Sequence, residues 1–180
     1  MQSFLVDDSA ATLTLRTRAE GLLARLAHDL EITAAGLGGK ATLDGESWTA
    51  DLSVPVASLR VVGALHGEEL DREALSASDR AQIEQKMRED VFFGGATIVT
   101  ASASGASLTR GEATITIASR SQRVPITLSA APLVGGAARV TGRFTLSLDR
   151  LGAKPIKGPL GAFRVKDAVE VVFAIPLVSA

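Results

Sequence analysis

Apolar residues occupy every second position along much of this chain. Trp48, Ala50, Leu52, Val54 and Val56 alternate with Ser47, Thr49, Asp51, Ser53 and Pro55. Val124, Ile126 and Leu128 alternate with Arg123, Pro125 and Thr127, and Phe144, Leu146 and Leu148 with Arg143, Thr145, Ser147 and Asp149. Successive side chains of a strand point to opposite faces, so this period of two predicts strands with one apolar and one wet face. With little helix to cover the apolar faces, the sheet must close its apolar face onto itself. A barrel or sandwich with an apolar interior follows, and such an interior can hold an apolar ligand.

The same pattern predicts strands over 4–7, 11–16, 28–34, 40–43 and 47–58, then 96–104, 107–119, 122–131, 137–150 and 163–178. Asp44-Gly45 between alternating runs is a hairpin signal, and Gly36, Gly38 and Gly39 mark a turn. The regular spacing of turns suits an antiparallel meander. Residues 19–27 lose the alternation, and Leu22, Leu23 and Leu26 share a helical face, which predicts a short helical turn. Residues 59–75, with Gly63 and Gly67, read as loop. One helix is predicted over about 78–90, with Ser78 as its N-cap and Asp79 in its first turn. Ile83 and Met87 form a single narrow apolar stripe, which places that helix on a surface.

The total of 180 residues suits one domain spanning 1–180, with no linker or low-complexity tract. A net charge of −1 and the lack of a Lys/Arg run offer nucleic acid no footing. Cysteine is absent, which removes disulfides and thiol chemistry. Asp7 and Asp8 interrupt any early apolar run, so no secretory signal is expected. The apolar stretch Val169 to Val178 is broken by Glu170 and Pro176 and is too short to cross a bilayer. A soluble, cytoplasmic protein without integral membrane contact is the expectation.

Reactive groups are sparse. His28-Asp29 could supply a base and a carboxylate, but neighbours on a strand face opposite ways, so Asp29 is poorly placed to orient His28. His66 lies near Glu68 and Glu69, yet no HxH or HxxxH pair completes a metal ligand set, and no metal or cofactor is expected. No Gly-x-Ser-x-Gly or GxxxxGK[ST] occurs. Phe144 and Phe173 fall on apolar strand faces as core or lining. A closed barrel of about eight strands either fills with side chains or holds one elongated ligand.

Several stretches resemble the YceI-like family of lipid-binding proteins. They are Ser58-Leu59-Arg60-Val61, the helical segment from Leu75 to Val91, Ala27-His28-Asp29-Leu30, the hairpin Gly111 to Ile126, and Phe144 to Gly152 followed by Val165 to Val171. They occur in the family's order over most of the chain. The segment Gly63 to Leu75 departs from the family's commoner Arg-Asp-x-His-Leu pattern. The resemblance implies an all-β, antiparallel, lipocalin-like barrel with a helix packed outside, and a long apolar ligand such as an isoprenoid, a quinone-like molecule or a fatty chain. It implies no catalytic residues.

The expected function is therefore to bind, carry or sequester such an amphiphile without catalysis. The lumen is assigned to Leu30, Ile32, Trp48, Leu52, Val54, Ile98, Ile126, Phe144, Leu146, Val171 and Phe173. Two alternatives stand beside it. One is a ligand-free scaffold plugged by its own side chains, possibly a homodimer. The other is an enzyme using His28.

Overall fold

The computed structural model describes residues 1–21, 27–132, 136–157 and 164–180. The strands are β1 (Gln2–Val6), β2 (Thr12–Thr17), β3 (Ala19–Glu20), β4 (Asp29–Ala34), β5 (Gly38–Asp44), β6 (Ser47–Pro55), β7 (Arg60–His66) and β8 (Glu69–Asp71). After the helix α1 (Ala77–Asp90) come β9 (Ile98–Ser107), β10 (Arg110–Ile117), β11 (Arg120–Pro132), β12 (Ala138–Ser147), β13 (Arg164–Val165) and β14 (Ala168–Ser179). A 3₁₀ turn, Val56–Ser58, links β6 to β7.

Antiparallel pairing runs β1-β5-β6-β9-β10-β11-β12-β14, and β14 returns to β1, closing an 8-strand barrel. Along β14 the partner is β1 at one end (Val6 opposite Leu177) and β2 at the other (Thr12 opposite Ala174). One wall thus continues past the barrel as β2-β4-β7-β8. Alternation holds where it was read: β11 buries Gln122, Val124, Ile126 and Leu128 and exposes the residues between. Most of the buried apolar residues form one cluster that joins the inside of the closed sheet to β7 and to Met87, Val91 and Phe92 at and beyond the end of α1.

Three sequence expectations are corrected. The segment 59–75 is not a loop but contains β7 and β8. Its residues Val61, Ala64 and Leu65 are all buried. The strand is covered on both faces, by α1 on one, so it reads as a continuous apolar run rather than as an alternation. The expected helical turn over 19–27 begins instead as the short strand β3, paired with β13, and Leu22, Leu23 and Leu26 lie outside the described residues. Helix α1 starts one residue earlier than expected and is capped by Ser76, not Ser78. Ser76 Oγ accepts from the Asp79 N–H at 3.1 Å while Asp79 Oδ2 accepts from the Ser76 N–H at 3.1 Å, a capping box.

Helix α1 is fixed to the extended wall by its polar side chains. The pairing of β4 with β7 slips at Glu31/Ile32. The Val61 N–H at that irregularity donates to Glu84 Oε1 of α1 at 2.9 Å, so a backbone donor freed by the slip is satisfied. The helix ends where Phe93 (φ 56°) and Gly94 (φ 67°) turn left-handed, and the Arg120 guanidinium lies 4.2 Å from the centre of the Phe93 ring.

Candidate functional site

The closed sheet is hollow. A cavity of about 540 Å³ opens between the barrel and α1, within the about 300–1,000 Å³ typical of small-molecule sites. The period of two builds its wall. β2 contributes Leu13 and Leu15, β6 Leu52 and Val54, β9 Val99, Ala101 and Ala103, β10 Ala113, Ile115 and Ile117, and β14 Val169, Val171, Phe173 and Ile175. The lid comes from α1, whose Ile83 and Met87 face the cavity, and from Val91 and Phe92 just beyond it. The narrow stripe that suggested a surface helix therefore seats on the mouth of the barrel.

The two ends of the tube differ. At the end carrying the β5–β6 and β9–β10 turns, Trp48 lies against Gly105 and Gly111. A Cβ on Gly111 would stand 2.4 Å from Trp48 Cζ2, and one on Gly105 2.7 Å from Trp48 Nε1. The Trp48 Nε1–H donates to the Ser107 carbonyl at 2.8 Å. These glycines leave room for an indole laid flat across two strands, which fills that end. Above it, Ala41, Ala50, Ala103 and Ala113 stand in register across β5, β6, β9 and β10. Phe144 and Phe173 meet at a centroid distance of 6.3 Å and an interplanar angle of 48°, and Phe173 covers Gly142 much as Trp48 covers its pair.

The other end is the mouth, and polar lining gathers there. Thr17 ends β2, His28 precedes β4, Gln82 and Lys86 lie on α1, Thr100 lies near the start of β9, and Lys157 follows β12. The pairings Thr17 with Leu30, Ala19 with Val165 and Lys157 with Arg164 bring these segments to one rim.

Of the predicted lumen positions, Leu30, Ile32, Leu52, Val54, Ile126, Phe144, Leu146, Val171 and Phe173 line the cavity. Ile98 does not: it is 47% exposed, and Val99 takes the inward place. The alternation itself excludes Ile98, which falls in phase with Thr100, Ser102 and Ser104, whereas Val99 falls in phase with Ala101 and Ala103. Register agrees, because Val99 lies opposite the lining residue Val54 and Ile98 opposite Pro55. Trp48 packs against the apolar cluster but is not part of the cavity wall, since the cavity stops short of it. The helix contribution was missed because lining was sought by period two and these residues come at helical spacing.

No family model matches this sequence, and no curated protein does. Among solved structures, the crystal structure of Burkholderia cenocepacia BcnA superposes with a TM-score of 0.65 over 95% of this chain and 98% of that one, at 14% identity. The fold is a YceI-like barrel.

Ionisable groups of this YceI-like barrel sit at or outside the rim. On the outer face, Glu68 bridges two arginines, accepting from Arg16 Nη1 at 2.8 Å and Arg18 Nη2 at 2.7 Å. Arg16 also reaches Glu31, and Arg18 reaches Asp29 and the Gly67 carbonyl. Burial alone would lower the Arg18 pKa; the hydrogen bond and charge of Asp29, then of Glu68, outweigh it and hold the guanidinium above its ordinary value. Asp79 is held below the ordinary carboxylate range, first by the Ser76 hydroxyl, then by the Ser76 N–H and the nearby His28.

His28 is exposed, and Asp29 turns away from it to accept from the Ala19 N–H at 2.7 Å. His66 lies 3.8 Å from Asp71 on the β7–β8 hairpin, outside the lining. Among the described residues no three His, Asp or Glu side chains gather as a metal site, and no helix is long and apolar enough to cross a membrane.

Proposed function

We propose that this protein binds, carries or sequesters a long apolar amphiphile, with an isoprenoid, quinone-like or fatty tail in the barrel, and that it is a divergent member of the YceI-like family. The observation that carries the reading is the hollow tube, apolar along its depth and polar only at its mouth. A plugged scaffold would have filled that space with side chains. Each buried methylene contributes about 0.8 kcal/mol, so a sixteen-carbon tail gains about 13 kcal/mol before an association cost of about 4–15 kcal/mol. Tight binding then requires no specific polar contact along the tail.

A binding role, rather than catalysis, also fits the chemistry at hand. Among the described residues no carboxylate hydrogen-bonds to the histidine on the lining, and the wall offers hydroxyls only at Thr17 and Thr100.

Native mass spectrometry and organic extraction of the purified protein test the proposal, together with thermal melts after adding a short-chain quinone analogue or a fatty acid. Co-purifying lipid and a raised Tm are expected. Ligand at a hundred times its Kd adds about 2.7 kcal/mol to stability. Absence of lipid together with an unmoved Tm for every probe overturns the proposal.

A further inference from the structure

We infer that the amphiphile carries an anionic head, a carboxylate or a phosphate ester, received at the rim by Lys157 and Lys86; this rests on the tail-binding reading above. Both lysines line the cavity whose wall is otherwise almost entirely apolar. They come from separate segments, α1 and the stretch after β12, yet border one opening.

Their partners differ. Lys86 Nζ donates to Asp90 Oδ2 at 2.7 Å, which leaves two of its three N–H groups for a ligand. Lys157 has no acid within ion-pair distance among the described residues. Gln82, one turn before Lys86, adds a neutral amide to the same rim.

The surrounding charge favours the same sign. Arg150, Lys154, Lys157, Arg164 and Lys166 all fall between positions 150 and 166, a stretch with no Asp or Glu, in a chain whose net charge is −1. Of these, Arg164 is neutralised by Glu20 at 2.5 Å. Asp149 and Asp167 flank the stretch, and of its cations Lys157 is the one that lines the cavity. A neutral head would make no ion pair with Lys157. An anion at the rim forms charge-assisted hydrogen bonds with these exposed ammonium groups, stronger than those a neutral head can form.

The test compares three probes of one tail length on the full chain stripped of lipid: hexadecanoic acid, hexadecyl phosphate and hexadecanol, by calorimetry at mildly alkaline pH. The acid and the phosphate are expected to bind about tenfold more tightly than the alcohol. The gap should narrow as salt is raised. Lys157→Gln should shrink it to about two- or threefold, and Lys86→Gln with Lys157→Gln should remove it, while the circular dichroism and lipid-free Tm of each variant report whether the barrel is intact. Equal affinities for acid and alcohol in the parent, or a gap that survives the double substitution, overturn the anionic head and leave tail binding standing. Failure of all three probes to bind overturns tail binding and this inference with it.

Discussion

Replacing Ala103 by leucine measures whether the tube is empty. Ala103 faces inward on β9, opposite Ala50 and Ala113, and lines the cavity. It is only half-buried, although its neighbours on both sides belong to a closed sheet, because it borders open space. Leucine adds three carbons. In a filled interior that insertion costs about 1–3 kcal/mol in displaced neighbours. In an open tube the same carbons leave water for an apolar wall, a gain of up to about 2.4 kcal/mol at 0.8 per carbon. Ordering the longer side chain offsets about 0.5–1 kcal/mol of that. The expected net change for the lipid-free protein is therefore a stabilisation of about 1.5–2 kcal/mol, opposite in sign to overpacking. Urea unfolding provides the assay, followed by the fluorescence of Trp48, the sole tryptophan, and by circular dichroism. The same substitution narrows the bore and should weaken fatty-acid binding. A lipid-free Ala103→Leu protein destabilised by 1 kcal/mol or more, with an unchanged m-value, would refute the open tube.

Other outcomes follow from the same geometry. Gly111→Ala sets a methyl 2.4 Å from the Trp48 ring and 2.5 Å from the Ser104 carbonyl; a loss of about 1–3 kcal/mol with altered Trp48 emission is expected, and an unchanged spectrum and midpoint would count against the plugged end. Ser76→Ala removes the cap of α1 and should cost about 1 kcal/mol in urea unfolding. The Asp79 carboxyl titrates below its ordinary value, so its contribution is fully present above that value and fades as pH falls through the depressed one; an Asp79 titration by NMR that moves back to the ordinary range in Ser76→Ala is the expected signature. Glu68→Gln opens the bridge between Arg16 and Arg18; because Glu68 is well exposed, a loss under about 1 kcal/mol that shrinks in high salt is expected.

Much of the barrel is legible in the sequence because one face of each closing strand meets water and the other does not. β6, β10 and β11 announce themselves in this way. β7 does not, because Val61 and Leu65 on one face and Ala64 on the other are all buried. Where both faces are dry the alternation vanishes, and Gly63 against the Asp71 carbonyl then looks like a turn residue rather than the close backbone approach it serves. The cavity wall was legible by the same rule wherever a single apolar residue offered itself. At Ile98-Val99 the phase of the alternation over Thr100 to Ser104 points to Val99, and strand pairing agrees. The rim was not legible, because Lys86 and Lys157 converge only through tertiary packing, and neither stands in a motif.

Sealing one end with Trp48 over two glycines turns a tube into a ruler. A guest must go in tail first and leave the way it came, so every carbon that reaches the wall must be withdrawn before release. If a tail binds as proposed, each added carbon slows escape by roughly fourfold at about 0.8 kcal/mol per methylene, until the chain reaches the end of the cavity. Beyond that length extra carbons have no wall left to touch and either crumple or lift the head off the rim. Residence time should climb steeply with chain length, then level off, and the length at which it does so is set by how far the cavity runs before the Trp48 end.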